Sequence, residues 1–289
     1  MDNNKKKGFA RFFQNLRFWV QIAFTALTNG YVKGFVIGRI YTGKLKNLCL
    51  PGLNCYSCPG ALGACPIGSL QAMLGSRNYR FSFYVIGFLM LTGSVIGRVV
   101  CGWLCPFGLL QDLLYKIPFF RKWKNLPGHK FLVWAKYVIL AVFVILLPLF
   151  ALDIVGQGSP WFCKWICPSG TLTGNFLIAA NEPLRSALGF LYQWKMVILI
   201  IILLLSVLIY RPFCKYLCPL GAIYSLFAPI SLVRLRVDRE KCVECGRCQT
   251  ACNMDIRVWK APNHRECIRC GDCVKSCPFG AIEWSMGKK

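Results

Sequence analysis

Residues 101–108 read CGWLCPFG, and the same stretch recurs as CKWICPSG at 163–170 and CKYLCPLG at 214–221. Each is C-x-[Trp/Tyr]-[Leu/Ile]-C-P-x-G. A fourth stretch, CYSCPGALGACPIGSLQ at 55–71, ends in the same C-P-x-G. Proline has no N–H and a fixed φ, so it stops one element and suits the first turn of the next. Each motif is therefore expected to end a long helix and start a short one lying along a membrane interface. PFGLLQDLLYKI after Cys105 has that amphipathic pattern. The motifs at 101 and 214 also share an arginine three residues before the first cysteine, Arg98 and Arg211.

Between the motifs lie four apolar segments, read as Phe18–Gly38, Phe81–Gly97, Phe131–Phe150 and Lys195–Tyr210. About 20 apolar residues cross a bilayer as a helix. Composition agrees: 56% of the 289 residues are hydrophobic and only 16% charged, a shift toward lipid. The fourth segment, with MVILIIILLLSVLIY, is the clearest. The first is the weakest, carrying Gln21, Asn29 and Lys33, and it is too long and polar for a signal-peptide core. Lysine and arginine bias sets orientation. Lys5, Lys6, Lys7, Arg11 and Arg17 precede the first segment. Lys116, Arg121, Lys122, Lys124 and Lys130 follow the second. The loop after the third has only Lys164 and Arg185, offset by Asp153 and Glu182. Four crossings with both termini cytoplasmic follow. The loop Arg39–Arg80 disagrees, with five basic residues and no acidic one on the outer side. Inverting the topology would expose the denser 116–130 cluster instead.

The remaining chain is a cysteine-rich tail. From Cys242 it reads CVECGRCQTAC and from Cys267 CIRCGDCVKSCP, each C-x2-C-x2-C-x3-C. Three cysteines two residues apart wrap one face of an iron–sulfur cube, and the fourth crosses to the other cube. The expected sets are Cys242, Cys245, Cys248 and Cys277 for one cluster and Cys267, Cys270, Cys273 and Cys252 for the other. Asn253 stands where proline usually follows the first run. Zinc would use paired C-x2-C, not two runs of four, and disulfides do not suit a reducing cytoplasm. The tail, about 45 residues of which match, resembles bacterial two-[4Fe-4S] ferredoxin domains.

The topology pairs the other motifs. Cys101, Cys105, Cys214 and Cys218 face the cytoplasm and form an inner [4Fe-4S] set. Cys163 and Cys167 face outside with two among Cys55, Cys58 and Cys65, either as an outer set or as disulfides. Cys49 is spare. The fold expected is mainly α: a four-helix polytopic membrane domain over 1–230, built from a duplicated helix–motif–helix–motif unit. A small α+β ferredoxin-like domain follows over 231–289. Duplicated membrane units commonly hold their site at the repeat interface. Iron bound through these cysteines is expected to make four clusters, two in the tail and two in the membrane domain, or three if the membrane domain holds one.

The two inner motifs and the tail resemble the NapH-type membrane iron–sulfur proteins. That resemblance implies four membrane helices, a bacterial or archaeal cytoplasmic membrane, and an electron-transfer subunit passing electrons from quinol toward exported reductases. The cysteines at 55–65 and 163–167 depart from the plain pattern and look like a variant with an extra set on the far side. The chain is therefore expected to relay electrons across the membrane. A cytoplasmic ferredoxin or flavodoxin would be the donor and an extracytoplasmic flavin, haem or reductase protein the partner, with a quinone partner left open. The alternatives are a NapH-like quinol-oxidising subunit, or a redox-sensing or metal-reducing assembly factor.

Charge narrows the partners. With 35 Lys+Arg against 11 Asp+Glu the chain is no acidic soluble carrier, and no nucleic-acid motif accompanies the excess. Residues 234–289 hold 12 Lys/Arg and 7 Asp/Glu, enough to steer an acidic protein or to rest on anionic lipid. No general base, nucleophile or phosphate loop is found. His129 and His264 read as structural, while Trp103, Trp165 and Tyr216 could shield clusters or be interfacial aromatics.

Overall fold

The C-P pairs begin helices. The computed structural model describes residues 16–76, 82–118, 122–151, 158–186 and 188–287. In it, helices Pro66–Leu74, Pro106–Lys116, Pro168–Ala180 and Pro219–Phe227 each start on the motif proline. The cysteine before each proline is extended at the N-cap. The first helical N–H would be unpaired in any case, so proline costs nothing there. A single helical turn carries the first cysteine of three motifs: Val99–Trp103, Trp161–Trp165 and Pro212–Tyr216.

Two helices are long and apolar enough to cross a membrane, His129–Phe150 and Phe190–Leu208. The apolar helix Phe83–Val95 is shorter. The expected first crossing, Phe18–Gly38, is not one helix. It is a helix over 16–28 and a second at Val32–Ile37, parted at Asn29–Tyr31. The free backbone of the break is used elsewhere: Tyr31 N–H bonds the Gly60 carbonyl, and Leu62 N–H bonds that of Thr28. Gln21, one of the polar residues that weakened this segment, is buried and donates to the Gly102 carbonyl. Lys5, Lys6, Lys7, Arg11, Arg121 and Asp153 of the charge pattern lie outside the described residues.

The first long span is not uniform. Leu140–Leu146 is wound as a π-helix. Pro148 follows, and its missing N–H leaves a carbonyl one turn earlier without its usual partner, a local cause for rewinding.

The short post-motif helices pack against the long ones. Pro219–Phe227 packs on the first half of the first span and Pro66–Leu74 on its second half. Pro106–Lys116 and Pro168–Ala180 both pack on Phe190–Leu208. Apolar faces that could have met lipid, including Phe107, Leu109, Leu220 and Ala222, are buried against protein. Each long span is thus flanked by one helix from an inner motif and one from an outer motif.

The tail closes on a two-stranded antiparallel sheet, Val233–Val237 with Ile282–Met286, in register Leu235↔Trp284. Asn263 clamps it, donating from Nδ2 to the Leu235 carbonyl and accepting from its N–H. Leu235 and Ile282 turn into the core between the cysteine runs.

Candidate functional site

The two tail runs fold alike. Glu244 and Arg269, each just before the second cysteine of its run, take φ of 50° and 51°. Gly246 and Gly271, just after it, are left-handed too, at 73° and 84°. Non-glycine residues rarely hold such angles, and these wrap the chain tightly around a centre. The result is two small cavities built alike. One is lined by Cys242, Cys245, Cys248 and Cys277, the other by Cys252, Cys267, Cys270 and Cys273. Each run lends its fourth cysteine to the other cavity. Cys245 is exposed, whereas Cys252, Cys267 and Cys273 are buried. Burial pushes the Cys267 thiol up, so a free anion there is unfavourable without a partner.

Cys101, Cys105, Cys214 and Cys218 converge at the paired corners of the two inner motifs, each within electrostatic reach of the others. All four are buried. Arg98 and Arg211 cross over this group. Arg98 Nη2 lies 3.5 Å from where a Cβ on Gly221 would stand, and Arg211 Nη1 lies 3.1 Å from the same position on Gly108. Each arginine thus covers the C-P-x-G of the other motif. Both are fully buried, which rules out a role as surface anchors. Arg211 pairs with Asp112, which also holds Arg17 at 2.7 Å. Arg98 Nη1 pairs with Glu266 at 2.8 Å, while its Nε and Nη2 have no hydrogen-bond partner among the described residues. Those idle donors stand near Cys101 and Cys214.

Of the cysteines expected on the outer side, Cys55, Cys65, Cys163 and Cys167 come together. A Cβ on Gly170 would lie 3.4 Å from Cys55 Sγ and 3.9 Å from Cys167 Sγ, and one on Gly68 3.9 Å from Cys163 Sγ. Cys58 turns away toward Asn29 Oδ1, at 3.5 Å, and Cys49 sits in the bridge to Ala64. All 18 cysteines are free.

The groups adjoin one another. Gly102 has no room for a side chain, because the Ile268 carbonyl of the tail occupies that space. Trp103 Nε1 donates to the Arg269 carbonyl at 3.0 Å, so this aromatic docks the tail. Tyr216 instead meets His129 Nδ1 at 3.0 Å, and Trp165 stacks on Trp161. His264 Nδ1 accepts from the Glu266 N–H. Glu266 takes both Arg98 and Lys136. Burial alone would raise its carboxyl, but Arg98 and then Lys136 more than offset this and hold it at about 2. Between inner and outer groups lies Tyr224, fully buried and within reach of Cys101, Cys105, Cys218 and Cys65. Its hydroxyl donates to the Pro51 carbonyl at 2.9 Å. Gly52 packs on Cys105, where a Cβ would stand 3.2 Å from the Cys105 Cα.

Sequence reading missed Glu266, Lys136, Asp112 and Tyr224. Lys136 carried a signal, as a lone charge inside FLVWAKYVIL, since such residues find buried partners.

The donors suit [4Fe-4S] clusters. A mononuclear zinc site needs four ligands converging on one ion, and among the described residues no three His, Cys, Asp or Glu side chains do so. A cube takes one thiolate at each iron, so its sulfurs stand apart around a central space, as in the twin tail cavities. Unpaired buried guanidinium nitrogens beside Cys101 and Cys214 also suit an anionic centre.

Fold and donor sets together define an iron–sulfur electron-transfer protein. Two families, both described as 4Fe-4S binding domains, match the chain, one over 78–127, 137–177 and 193–237, the other over 262–283. An uncharacterized protein of Methanocaldococcus jannaschii is 32% identical over 201 residues, 68% of this chain and 67% of that protein. A second from the same organism is 34% identical over 179 residues, 60% of this chain and 65% of that protein. The ferredoxin-type protein NapH of Haemophilus influenzae is 28% identical over 196 residues, 66% of this chain and 60% of NapH. No solved structure matches. The chain belongs to the NapH-type iron–sulfur proteins. Its match spans about two thirds of the length of these relatives.

Proposed function

We propose that the chain is a membrane-spanning electron relay between a cytoplasmic donor, such as a ferredoxin or flavodoxin, and an extracytoplasmic flavin, haem or reductase partner. Bound [4Fe-4S] clusters would supply one-electron carriers at four sites. The residues holding them would be the two tail sets, the inner set Cys101, Cys105, Cys214 and Cys218, and the outer set Cys55, Cys65, Cys163 and Cys167. In this reading the apolar helix Phe83–Val95 and the broken N-terminal pair complete four crossings, with both termini cytoplasmic.

The observation that carries the reading is contiguity. The exposed tail set borders the buried one, whose Ile268 carbonyl rests on Gly102 of the inner motif. Tyr224 and Gly52 then join inner to outer. A bilayer core is about 30 Å thick, too far for one useful electron step, and these contacts break the distance into neighbouring stages. The chain's own residues exclude water, fix the spacing, and set positive charge beside the inner set through Arg98 and Arg211.

Anaerobic purification with iron and acid-labile sulfide analysis tests this. About 16 iron atoms per chain are expected, against about 12 if the outer cysteines hold none. Changing Cys163 and Cys167 together to Ser should remove about four irons and stop transfer to a far-side acceptor in proteoliposomes. Reduction of the other sites should persist. Constant iron with persisting transfer would leave a plain quinol-oxidising or sensing role.

A further inference from the structure

Inner and outer sets share a device that the cysteines alone do not reveal. Gln71 lies six residues after Cys65 in CPIGSLQ, and Gln111 six after Cys105 in CPFGLLQ. Both are fully buried. Gln71 Nε2 is 3.3 Å from Cys163 Sγ, and Gln111 Nε2 is 3.2 Å from Cys214 Sγ. The amide orientation is fixed by its other contacts. Gln71 Oε1 accepts the Phe162 N–H at 2.9 Å, and Gln111 Oε1 accepts the Phe213 N–H at 3.2 Å. An N–H can bond only the oxygen, so Nε2 must face the sulfur. The second N–H of each amide goes to the carbonyl one turn back, Ile67 and Phe107. Each glutamine therefore reaches from the first motif of its set to the first cysteine of the second motif.

We propose that Gln71 and Gln111 are paired potential-setting residues, each donating a hydrogen bond to one cysteine sulfur of its set. An N–H facing a ligand sulfur stabilises negative charge, and more so after an electron is added. The donor thus raises the reduction potential of the group bound there. The matched construction also places the outer set on the plan of the inner one. A disulfide sulfur is uncharged and only a weak acceptor, so it gives a buried amide less reason to be aimed at it. Nothing equivalent stands at the same position of the other two motifs, where Thr173 donates to Ser169 and Tyr224 to Pro51. The inference rests on the proposed occupancy of both sets.

The test uses the full-length chain purified anaerobically, with Gln71→Met and Gln111→Met made separately. Methionine keeps the length and removes the N–H. Iron per chain reports occupancy, and redox titration followed by electron paramagnetic resonance reports potential. With wild-type iron retained, each variant should shift one signal to a more negative potential, a different signal in each, with the tail signals unmoved. Unshifted potentials at full iron, or the same signal moving in both, would overturn the assignment. If a methionine variant loses iron, Gln→Glu keeps an oxygen for the Phe N–H and removes the donor once the carboxyl is ionised, so the same signal should shift downward as pH is raised through that ionisation. Independently, wild-type chain labelled with 15N only at the glutamine side-chain amide should show nitrogen coupling to two reduced centres in pulsed measurements, since the backbone N–H of Gln249, which bonds the Cys248 sulfur, then stays unlabelled. Its absence from both refutes the proposal without any variant. Wild-type iron near 12 would instead remove the outer occupancy, leaving Gln111 judged by its own shift.

Discussion

Glu266 stands between Arg98 of the inner motif and Lys136 of the first long span, one residue before Cys267 of the tail. Two buried cations share that carboxylate. Removing it leaves both uncompensated, and breaking a buried pair costs about 3–5 kcal/mol. Glu266→Ala should therefore loosen the tail from the helices carrying Arg98 and Lys136 without changing the iron content of the tail. Hydrogen exchange over 263–272 would speed up in the variant, and unchanged protection there would contradict the docking role. Arg239 provides the contrast. Its 3.9 Å contact with Glu244 is exposed on both sides, so Arg239→Ala should change stability by less than about 1 kcal/mol. At Gly102 the limit is space rather than charge. Gly102→Val would push the Ile268 carbonyl away while every ligand cysteine is retained. Iron content should hold, and the transfer rate from tail to inner set should fall at least tenfold. An unaltered rate would show that this contact does not govern passage.

The C-P-x-G helices show what spacing can and cannot disclose. Their start on proline and the pairing of Cys101 and Cys105 with Cys214 and Cys218 were legible, because proline geometry and donor count are local properties. The crossed tail sets were legible for the same reason. Where the four helices pack was not. An apolar face is compatible with lipid or with a neighbouring helix, and only tertiary contact decides between them. The break at Asn29–Tyr31 was signalled by polar residues but needed the partner loop 58–62 to make sense. Choosing Cys55 and Cys65 over Cys58 depended on a loop that turns Cys58 toward Asn29. Gln71 and Gln111 repeat at one spacing, yet a glutamine in a helix has many ordinary uses, and its meaning appeared only with the sulfur in view. Orientation relative to the membrane is open to direct measurement at this scale. A cysteine placed at Glu182, exposed after the outer motif, should react with an impermeant maleimide on intact cells. One at Lys124, exposed beside the tail, should react only after lysis. The opposite pattern would invert the relay.

Across the whole molecule, exposure falls and then rises along the series of cysteine sets. Cys245 is open to solvent at the tip of the tail, with Val243 and Phe279 exposed around its cavity. The second tail set and the inner set are enclosed, and Cys55 and Cys163 are partly open again at the outer group. In the relay proposed above, open ends would admit the two partners and a closed middle would keep water from the carriers. The tail as a whole carries a basic excess, 12 Lys/Arg against 7 Asp/Glu over 234–289, and Arg247 and Lys241 are exposed near the first tail run, Lys241 paired with Asp238. These charges would attract an acidic electron donor over distances beyond contact. Salt screens such attraction, with a Debye length of about 10 Å at 0.1 M. Reduction of the chain in proteoliposomes by an acidic ferredoxin should therefore slow several-fold between about 20 and 300 mM salt. Arg247→Glu with Lys241→Glu should slow it at low salt and flatten the dependence. Neutral-lipid vesicles make the measurement decisive. If the basic surface serves instead to seat the tail on anionic headgroups, the rate will respond to the anionic lipid fraction, and the charge reversals will leave donor kinetics in neutral vesicles unchanged.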